Sequence, residues 1–424
     1  EEEEEDCGLA LPVIYRPKQS CGRTTYSSYA TADLCLHLIR QAIFRNQWEK
    51  AAELFTSYFQ TLLSRNSDRR NASTETIWRI GNEILLNHPK STSDDVNAFH
   101  EIMKNIGLKN YMFYSLEQVY HLLCNGDTDE AYRVLSVAES WRSGGHSMKQ
   151  IQLQKLVQAH RAVLNYRSWM DRRSAMAQNE MDFSSQCSAS QAMSSYYRQA
   201  SVTFQDTVKF PGVWDLFVLN YVNILESSDE KEEAEKVLTD YANNDKNPPN
   251  PNAHVYLYEF LQRNGAPDEA LLKVLRVLYS MTPSHKLMCK FSELLSNSES
   301  EEDQKLALRV LFDLLDFSGW KKSTETWGRL ARLLKITFRQ DHKAWVVEAW
   351  QPRKSWWPPY HFTTLCAKND LQNCTKLAKK KALVSGMLLG PGCVYFTTLC
   401  GSEKYKTKTL CSMQKFIEKH NCED

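Results

Sequence analysis

Apolar residues in this chain recur at helical spacing from Leu34 almost to the C-terminus, and alternating strand patterns are nearly absent. Leu34, Leu38 and Ile39, then Ala42 and Ile43, start the series. QWEKAAELFTSYFQTLL, TETIWRIGNEILLNH, DDVNAFHEIMKNI, YSLEQVYHLLCNG, TDEAYRVLSVAESW and MKQIQLQKLVQAHRAVLNYRSWM continue it. A three-to-four-residue apolar period buries one stripe of a helix. Gly126 follows Asn125 where a helix should end, and Pro89 follows another end. The short apolar run HVYLYEFL also fits a helix, because its neighbours do. The period therefore predicts an all-α chain.

A weak internal repeat sharpens this. The pattern Ala-x-x-[Val/Leu]-[Leu/Phe] begins at Ala51, Ala131, Ala234 and Ala307, with Leu271 in the Ala slot of a fifth copy. Each copy follows an acidic or polar turn. The spacing from Ala234 to Leu271 to Ala307 is close to the roughly 34-residue period of tetratricopeptide helix pairs. A small residue there lets two helices approach closely. Any amphipathic helix with an acidic first turn has a similar appearance, so the repeat is one of two readings. The expected fold is an all-α, helical-repeat (tetratricopeptide-like) solenoid with a disordered N-terminus.

Composition breaks divide the chain. Residues 1–30 are acidic, then rich in Pro, Ser and Tyr, and are expected to be disordered. Residues 31–170 form a first helical-repeat block. The polar, Ser-rich stretch 171–205 reads as a linker or long loop. A second helical block covers 206–350, with a forced turn at NNDKNPPNPN (243–252). An aromatic strap and a basic helical region fill 351–424.

Charge and chemistry exclude more than they include. The net charge of +1 rules out binding nucleic acid with the whole surface. The opening EEEEED lacks the basic and apolar parts of a signal peptide, and no run of 18 apolar residues occurs, so no membrane role is expected. The 12 cysteines include no C-x-x-C pair, which reads as a reduced interior with buried, inert thiols. Neither H-E-x-x-H nor a phosphate-loop motif is present. LLGPGC (388–393) reads as a helix stop. His361 with Cys366 and Cys374, or Cys393 with Cys400, lacks the paired short loops of structural zinc. No catalytic residue, cofactor, metal or small-molecule substrate is expected.

Two regions stand out as sites. DHKAWVVEAWQPRKSWWPPYHF (341–362) crowds four tryptophans into one place. Asp341 is the expected N-cap of a helix that stops near Trp350, before Pro352. Trp357 precedes two prolines, which favours extended backbone, so WWPPY is expected to be a stiff non-helical strap. It closes the core, docks a partner protein, or stacks bases. The partner-binding candidates are Trp350, Arg353, Lys354, Trp356, Trp357 and Tyr360. From Arg353 to Lys419 twelve basic residues face three acidic ones, leaving the rest of the chain acidic. Lys376, Lys379, Lys380 and Lys381 are therefore nucleic-acid candidates, against a plain solvated lysine surface. The pentapeptide FTTLC occurs at 362–366 and 396–400, as a repeat or by coincidence.

MKNIGLKNY (103–111), PGVWDLFV (211–218), NPNAHVYLYEFL (250–261), PSHKLM (283–288), RKSWWPPYHF (353–362) and SGMLLGPGCVYF (385–396) occur in order. With them the chain resembles the A-subunit family of the RNA polymerase I TATA-box-binding-protein-associated factors. The resemblance implies a nuclear, nucleolar, non-enzymatic component of the polymerase I promoter selectivity complex. It would bind TATA-box-binding protein and other polymerase I associated factors, and meet ribosomal promoter DNA mostly through that complex. A generic tetratricopeptide-like adaptor is the other reading, but the Lys and Asn set that grips a carboxylate is not found at consistent spacing.

Overall fold

The computed structural model describes residues 24–63, 67–106, 110–141, 147–177, 183–401 and 408–422, and every regular element among them is helical. The chain divides into two compact units, one ending at Thr207 and one beginning at Val208. The first holds α1 (Thr24–Phe44), α2 (Trp48–Leu63), α3 (Ser67–Asn87), α4 (Ser93–Ile106), α5 (Tyr111–Asn125), α6 (Thr128–Ser140), α7 (Met148–Ala177) and α8 (Phe183–Val208). The second begins with α9 (Asp215–Ser227), α10 (Lys231–Asn243), α11 (Pro251–Arg263), α12 (Asp268–Met281), α13 (Met288–Ser296), α14 (Glu301–Leu315), α15 (Thr324–Arg339) and α16 (Lys343–Trp350). It ends with α17 (Trp357–His361), α18 (Thr364–Asn373), α19 (Thr375–Leu389), α20 (Val394–Cys400) and α21 (Lys408–Lys419).

From α1 to α7 and from α9 to α16 each helix packs on the one that follows it. One turn geometry makes five of these pairs. The residue after the first helix is left-handed: Asn46 (φ 55), Gly126 (φ 87), Asp229 (φ 62), Gly265 (φ 71) and Asp341 (φ 62). The next N–H then reaches back to a carbonyl one turn inside the helix. These bonds run from Gln47 to Ala42, Asp127 to Leu122 and Glu230 to Leu225, each 2.9 Å, and from Ala266 to Leu261 and His342 to Thr337, each 3.0 Å. This is the Schellman closure, which satisfies carbonyls that a helix end leaves open. All five accepting residues are buried.

Five positions beyond the left-handed residue stand Ala51, Ala131, Ala234 and Val346; in α12 Pro267 adds one position and Leu271 takes the place. All are buried. The repeat seen in sequence is thus the first turn of the second helix of a pair. Ala307 lies one turn deeper in α14, where its carbonyl accepts the Ser292 hydroxyl of α13 at 2.9 Å. The fold is all-α and built from helical repeats.

Several expectations need correction. Residues 183–208 are helix α8 where the sequence suggests a linker: serines lower helix propensity, but Ala200 and Phe204 are fully buried and give that helix an anchored face. Of the expected disordered segment, residues 1–23 lie outside the described residues, and α1 already begins at Thr24. Asp341 is not an N-cap but the left-handed residue that ends α15; His342 caps α16 without a side-chain bond. FTTLC is no structural repeat. At 363 its Thr caps α18 by accepting from Cys366 N–H, whereas at 397 it lies inside α20. Gly390 (φ 77) does stop α19.

The region after α16 is a compact helical cap on the second unit. α19 lies along α15, α18 pairs with α20, and α21 crosses α19. Ile417 of α21 occupies the space that a side chain at Gly386 would fill. Trp327, Trp350, Trp357, Phe362, Tyr395 and Ile417 belong to one core.

Candidate docking surface

The strap is helical. After Trp350 a 3-10 turn covers Gln351–Arg353, residues 354–356 form a further turn, and α17 begins at Trp357. Pro358 and Pro359 sit in the first turn of α17, where a missing N–H has no intrahelical acceptor to lose. Trp356 N–H reaches Arg353 O at 3.2 Å, and Tyr360 N–H reaches Trp356 O at 3.2 Å. Near-continuous helical winding sorts the side chains by spacing. Trp350, Arg353, Trp357 and His361 point inward and are buried, while Lys354 and Trp356 are exposed and Tyr360 is half-buried.

The inward set is an aromatic cluster closed by an ion pair. Trp357 is fully buried and lies 5.2 Å from Phe312, 5.8 Å from Trp327 and 5.9 Å from Trp350, between ring centroids. Its indole N–H donates to Asp316 Oδ1 at 2.7 Å. Arg353 donates to both Asp316 oxygens at 2.7–3.1 Å, to Asp313 Oδ1 at 2.5 Å and to the Ala349 carbonyl at 2.7 Å. Tyr279 adds a bond to Asp313. Two carboxylates at the C-terminal end of α14 face the negative pole of the helix dipole, and the guanidinium offsets both. His361 donates from Nε2 to Leu315 O at 3.1 Å. Burial, then the charge of nearby Lys381, pushes its pKa down to about 3. Trp350, Arg353 and Trp357 therefore hold the core, and only the outward members of the set face solvent.

The outward set is an aromatic edge with cations. Trp356 is 37 % exposed and its ring centroid lies 5.6 Å from that of Tyr360. Lys321 Nζ sits 4.2 Å from the Tyr360 centroid, and Phe317 is exposed at the end of α14. Aromatic and cationic side chains on one rigid edge are the composition that anchors protein interfaces.

The lysine candidates scatter. Lys376 is exposed and Lys379 half-buried. Lys380 lays its stem over Gly328 and donates to Thr324 O at 3.0 Å. Lys381 does not face solvent. It is buried and bonds Asp370 at 2.7 Å, and Tyr395 bonds the same carboxylate at 2.8 Å. It shares the inner face of α19 with Leu377, Val384 and Leu388, three to seven residues away.

Sequence reasoning passed over Trp345 as a site. It stacks on His342 at 4.0 Å and lines two grooves. One, of about 600 Å³, runs between α14 and α16 under a Lys305–Glu348 pair at 2.5 Å. The other, of about 480 Å³, lies between α13 and α15 beside Arg329 and Arg332. Among the described residues no three His, Cys, Asp or Glu side chains gather as a metal requires, and no helix is long and apolar enough to cross a membrane. The thiols are not uniformly buried: Cys124 and Cys411 are exposed. Cys374, at the N-cap of α19, is held below the usual thiol range by the Leu377 N–H and then by the Thr324 hydroxyl.

The family model for the A-subunit of the RNA polymerase I TAFs matches residues 41–401. The chain belongs to this family. It is 42 % identical over 392 residues to the A-subunit of the TATA box-binding protein-associated factors of RNA polymerase I from Homo sapiens, spanning 92 % of this chain and 87 % of that one. The protein of the same name from Mus musculus is 43 % identical over 418 residues, 97 % and 92 % of the two chains. The strap and most of both helical units lie within the family match. Among solved structures, the TPR domain of P58(IPK) aligns over 92 % of this chain and 98 % of its own length, at 11 % identity and a TM-score of 0.21. That score is too low to carry any argument about the shape of this family member.

Proposed function

We propose that the chain is a non-enzymatic scaffold component of the polymerase I promoter selectivity complex. In this reading it works in the nucleus and nucleolus and binds TATA-box-binding protein and other associated factors in the pre-initiation complex on ribosomal RNA genes. Promoter DNA is met mostly through that assembly. Stacked helix pairs supply long rigid faces, and binding rests on buried surface rather than bond chemistry.

The observation that carries the reading is the division of the strap. Trp350, Arg353 and Trp357 fix it rigidly, so the backbone that holds Trp356, Tyr360 and Lys354 outward needs no ordering on binding. The test is reconstitution of the full chain with TATA-box-binding protein and the other associated factors. Trp356→Ala with Tyr360→Ala should lower melting by at most about 4–8 °C, at about 1 kcal/mol or less for each partly exposed ring. Recovery of the complex should fall at least about tenfold, one interface anchor's worth. Unchanged recovery with an intact fold removes the strap from the interface.

A further inference from the structure

The outward edge of the strap is an open aromatic V with an unused donor and two unpaired cations. Trp356 and Tyr360 stand one helical turn apart, with ring centroids separated by 5.6 Å and planes inclined at 51°. Trp357 meets the Trp356 ring only by an edge, at 6.3 Å and 82°. The indole N–H groups of Trp320, Trp327 and Trp357 are all spent on oxygens of this chain. That of Trp356 meets no acceptor among the described residues, and the side chain is exposed. Two lysines flank the rings. Lys354 lies two residues before Trp356, and Lys321 Nζ sits 4.2 Å from the Tyr360 centroid. Among the described residues neither has an ion pair, whereas Arg353 has two.

We infer that this edge binds a proline-rich peptide segment with acidic flanks, in the polyproline II conformation. This rests on the docking role proposed above and names what docks. Of the recurring modes of peptide recognition, the edge suits one. Strand addition needs an open sheet edge, and every regular element among the described residues is helical. A docked helix bonds its own carbonyls internally, so along its length it offers the Trp356 N–H no acceptor. A phosphopeptide relies on arginine forks, and Arg353, the one arginine in residues 341–362, is buried on Asp313 and Asp316. A polyproline II segment has no internal hydrogen bonds, so its carbonyls are open to a donor. Its pyrrolidine rings are flat-sided and apolar, and one fits between two inclined aromatic planes. At three residues per turn and about 3.1 Å of rise, the same side of the segment returns after about 9 Å. Carboxylates on either side of the proline core then meet Lys354 and Lys321, while a basic flank is repelled by the same two lysines. The core holds the strap, and the segment is stiff before it binds, so little order is lost on either side.

The test titrates the full chain with a labelled synthetic peptide, a run of prolines between glutamates, and reads anisotropy. The peptide should bind saturably, and Trp356→Ala should weaken it at least about tenfold, the scale of an aromatic anchor. Trp356→Phe keeps a ring and loses the donor, and should weaken it about fivefold, one hydrogen bond's worth. Lys354→Gln should weaken it about two- to fivefold, as for an exposed ion pair. The same peptide with alanine for proline, or with lysine for glutamate, should bind at least about tenfold less tightly than the parent peptide. Circular dichroism confirms that each variant is folded. Absence of binding, binding untouched by Trp356→Ala, or equal or tighter binding of the alanine or the lysine peptide overturns the inference. The docking role survives those outcomes if Trp356→Ala with Tyr360→Ala still lowers recovery of the complex. Unchanged recovery, with peptide binding lost in Trp356→Ala, instead removes the strap from that complex and supports the peptide site.

Discussion

Trp356 and Trp357 are neighbours in sequence with opposite surroundings, and replacing each alone by Ala separates core from surface. Trp357 is fully buried, with the rings of Trp327, Trp350, His361 and Phe362 at centroid distances of 4.9–6.2 Å and its N–H on Asp316. Removal of a buried Trp costs about 3–5 kcal/mol through lost transfer energy and the residual cavity. The lost bond to Asp316 adds about 1 kcal/mol at most, because Arg353 still satisfies both oxygens of that carboxylate. For a unit of this size each kcal/mol moves the melting point by about 2–4 °C, so about 4 kcal/mol lowers it by about 8–16 °C. Trp356, with over a third of its surface in water, should lose about 1 kcal/mol or less. Calorimetry on the full chain, following the transition of the second unit, reads both. Trp357→Phe should fall between them, since it keeps a ring and loses the donor. Equal effects of the two alanine variants, or a larger effect at Trp356, would refute the assignment of inward and outward faces.

Acid should weaken the second unit through His361. Its folded pKa of about 3 lies below the unfolded value near 6.5, so its contribution is present above about pH 6.5 and is lost as pH falls toward 3, at about 1.4 kcal/mol per unit. His361→Gln, which still offers a donor to Leu315 O, should flatten the stability profile of that unit between about pH 6.5 and 5; an unchanged slope would show that the imidazole is not held neutral. Asp229→Gly should raise the urea midpoint by the equivalent of about 1 kcal/mol, since a left-handed residue with a Cβ is strained by about that much; a fall would mean the Asp side chain stabilises the turn. Lys381→Met should cost about 3–5 kcal/mol by stranding Asp370, and adding Asp370→Leu should recover most of the loss. No recovery in the double variant would show that Tyr395, not the ion pair, governs the site.

The helices and their pairing were legible in sequence because both follow from local signals: apolar period, and a small residue one turn into the second helix. The turn itself was only half legible. Gly126 advertises a left-handed position, but Asn46, Asp229 and Asp341 adopt the same φ with a Cβ attached, and nothing in their own letters separates that use from capping. The Ser-rich stretch misled for a related reason. Propensity argued for a loop, while Ala200 and Phe204 are carried by tertiary burial, which propensity does not see.

At the candidate site the errors have one physical origin. Local rules place a residue before Pro in extended backbone, yet α16, the 3-10 turn and α17 wind on through Pro352, Pro358 and Pro359. What overrides the rule is distant in sequence: Asp313 and Asp316 of α14 need a compensating cation, and helical winding brings Arg353 and the Trp357 N–H to them together. Lys381 repeats the lesson. Read along the chain it is the third of three lysines and passes for a solvated one. Read at helical spacing it falls between Leu377 and Val384, and its charge is tolerable there because Asp370 waits on the preceding helix. A run of like charges is thus split by the helical period, one member buried and the other two half-buried. The same period gathers Arg332, Lys335 and Arg339, which no run in the sequence displays, onto a single face.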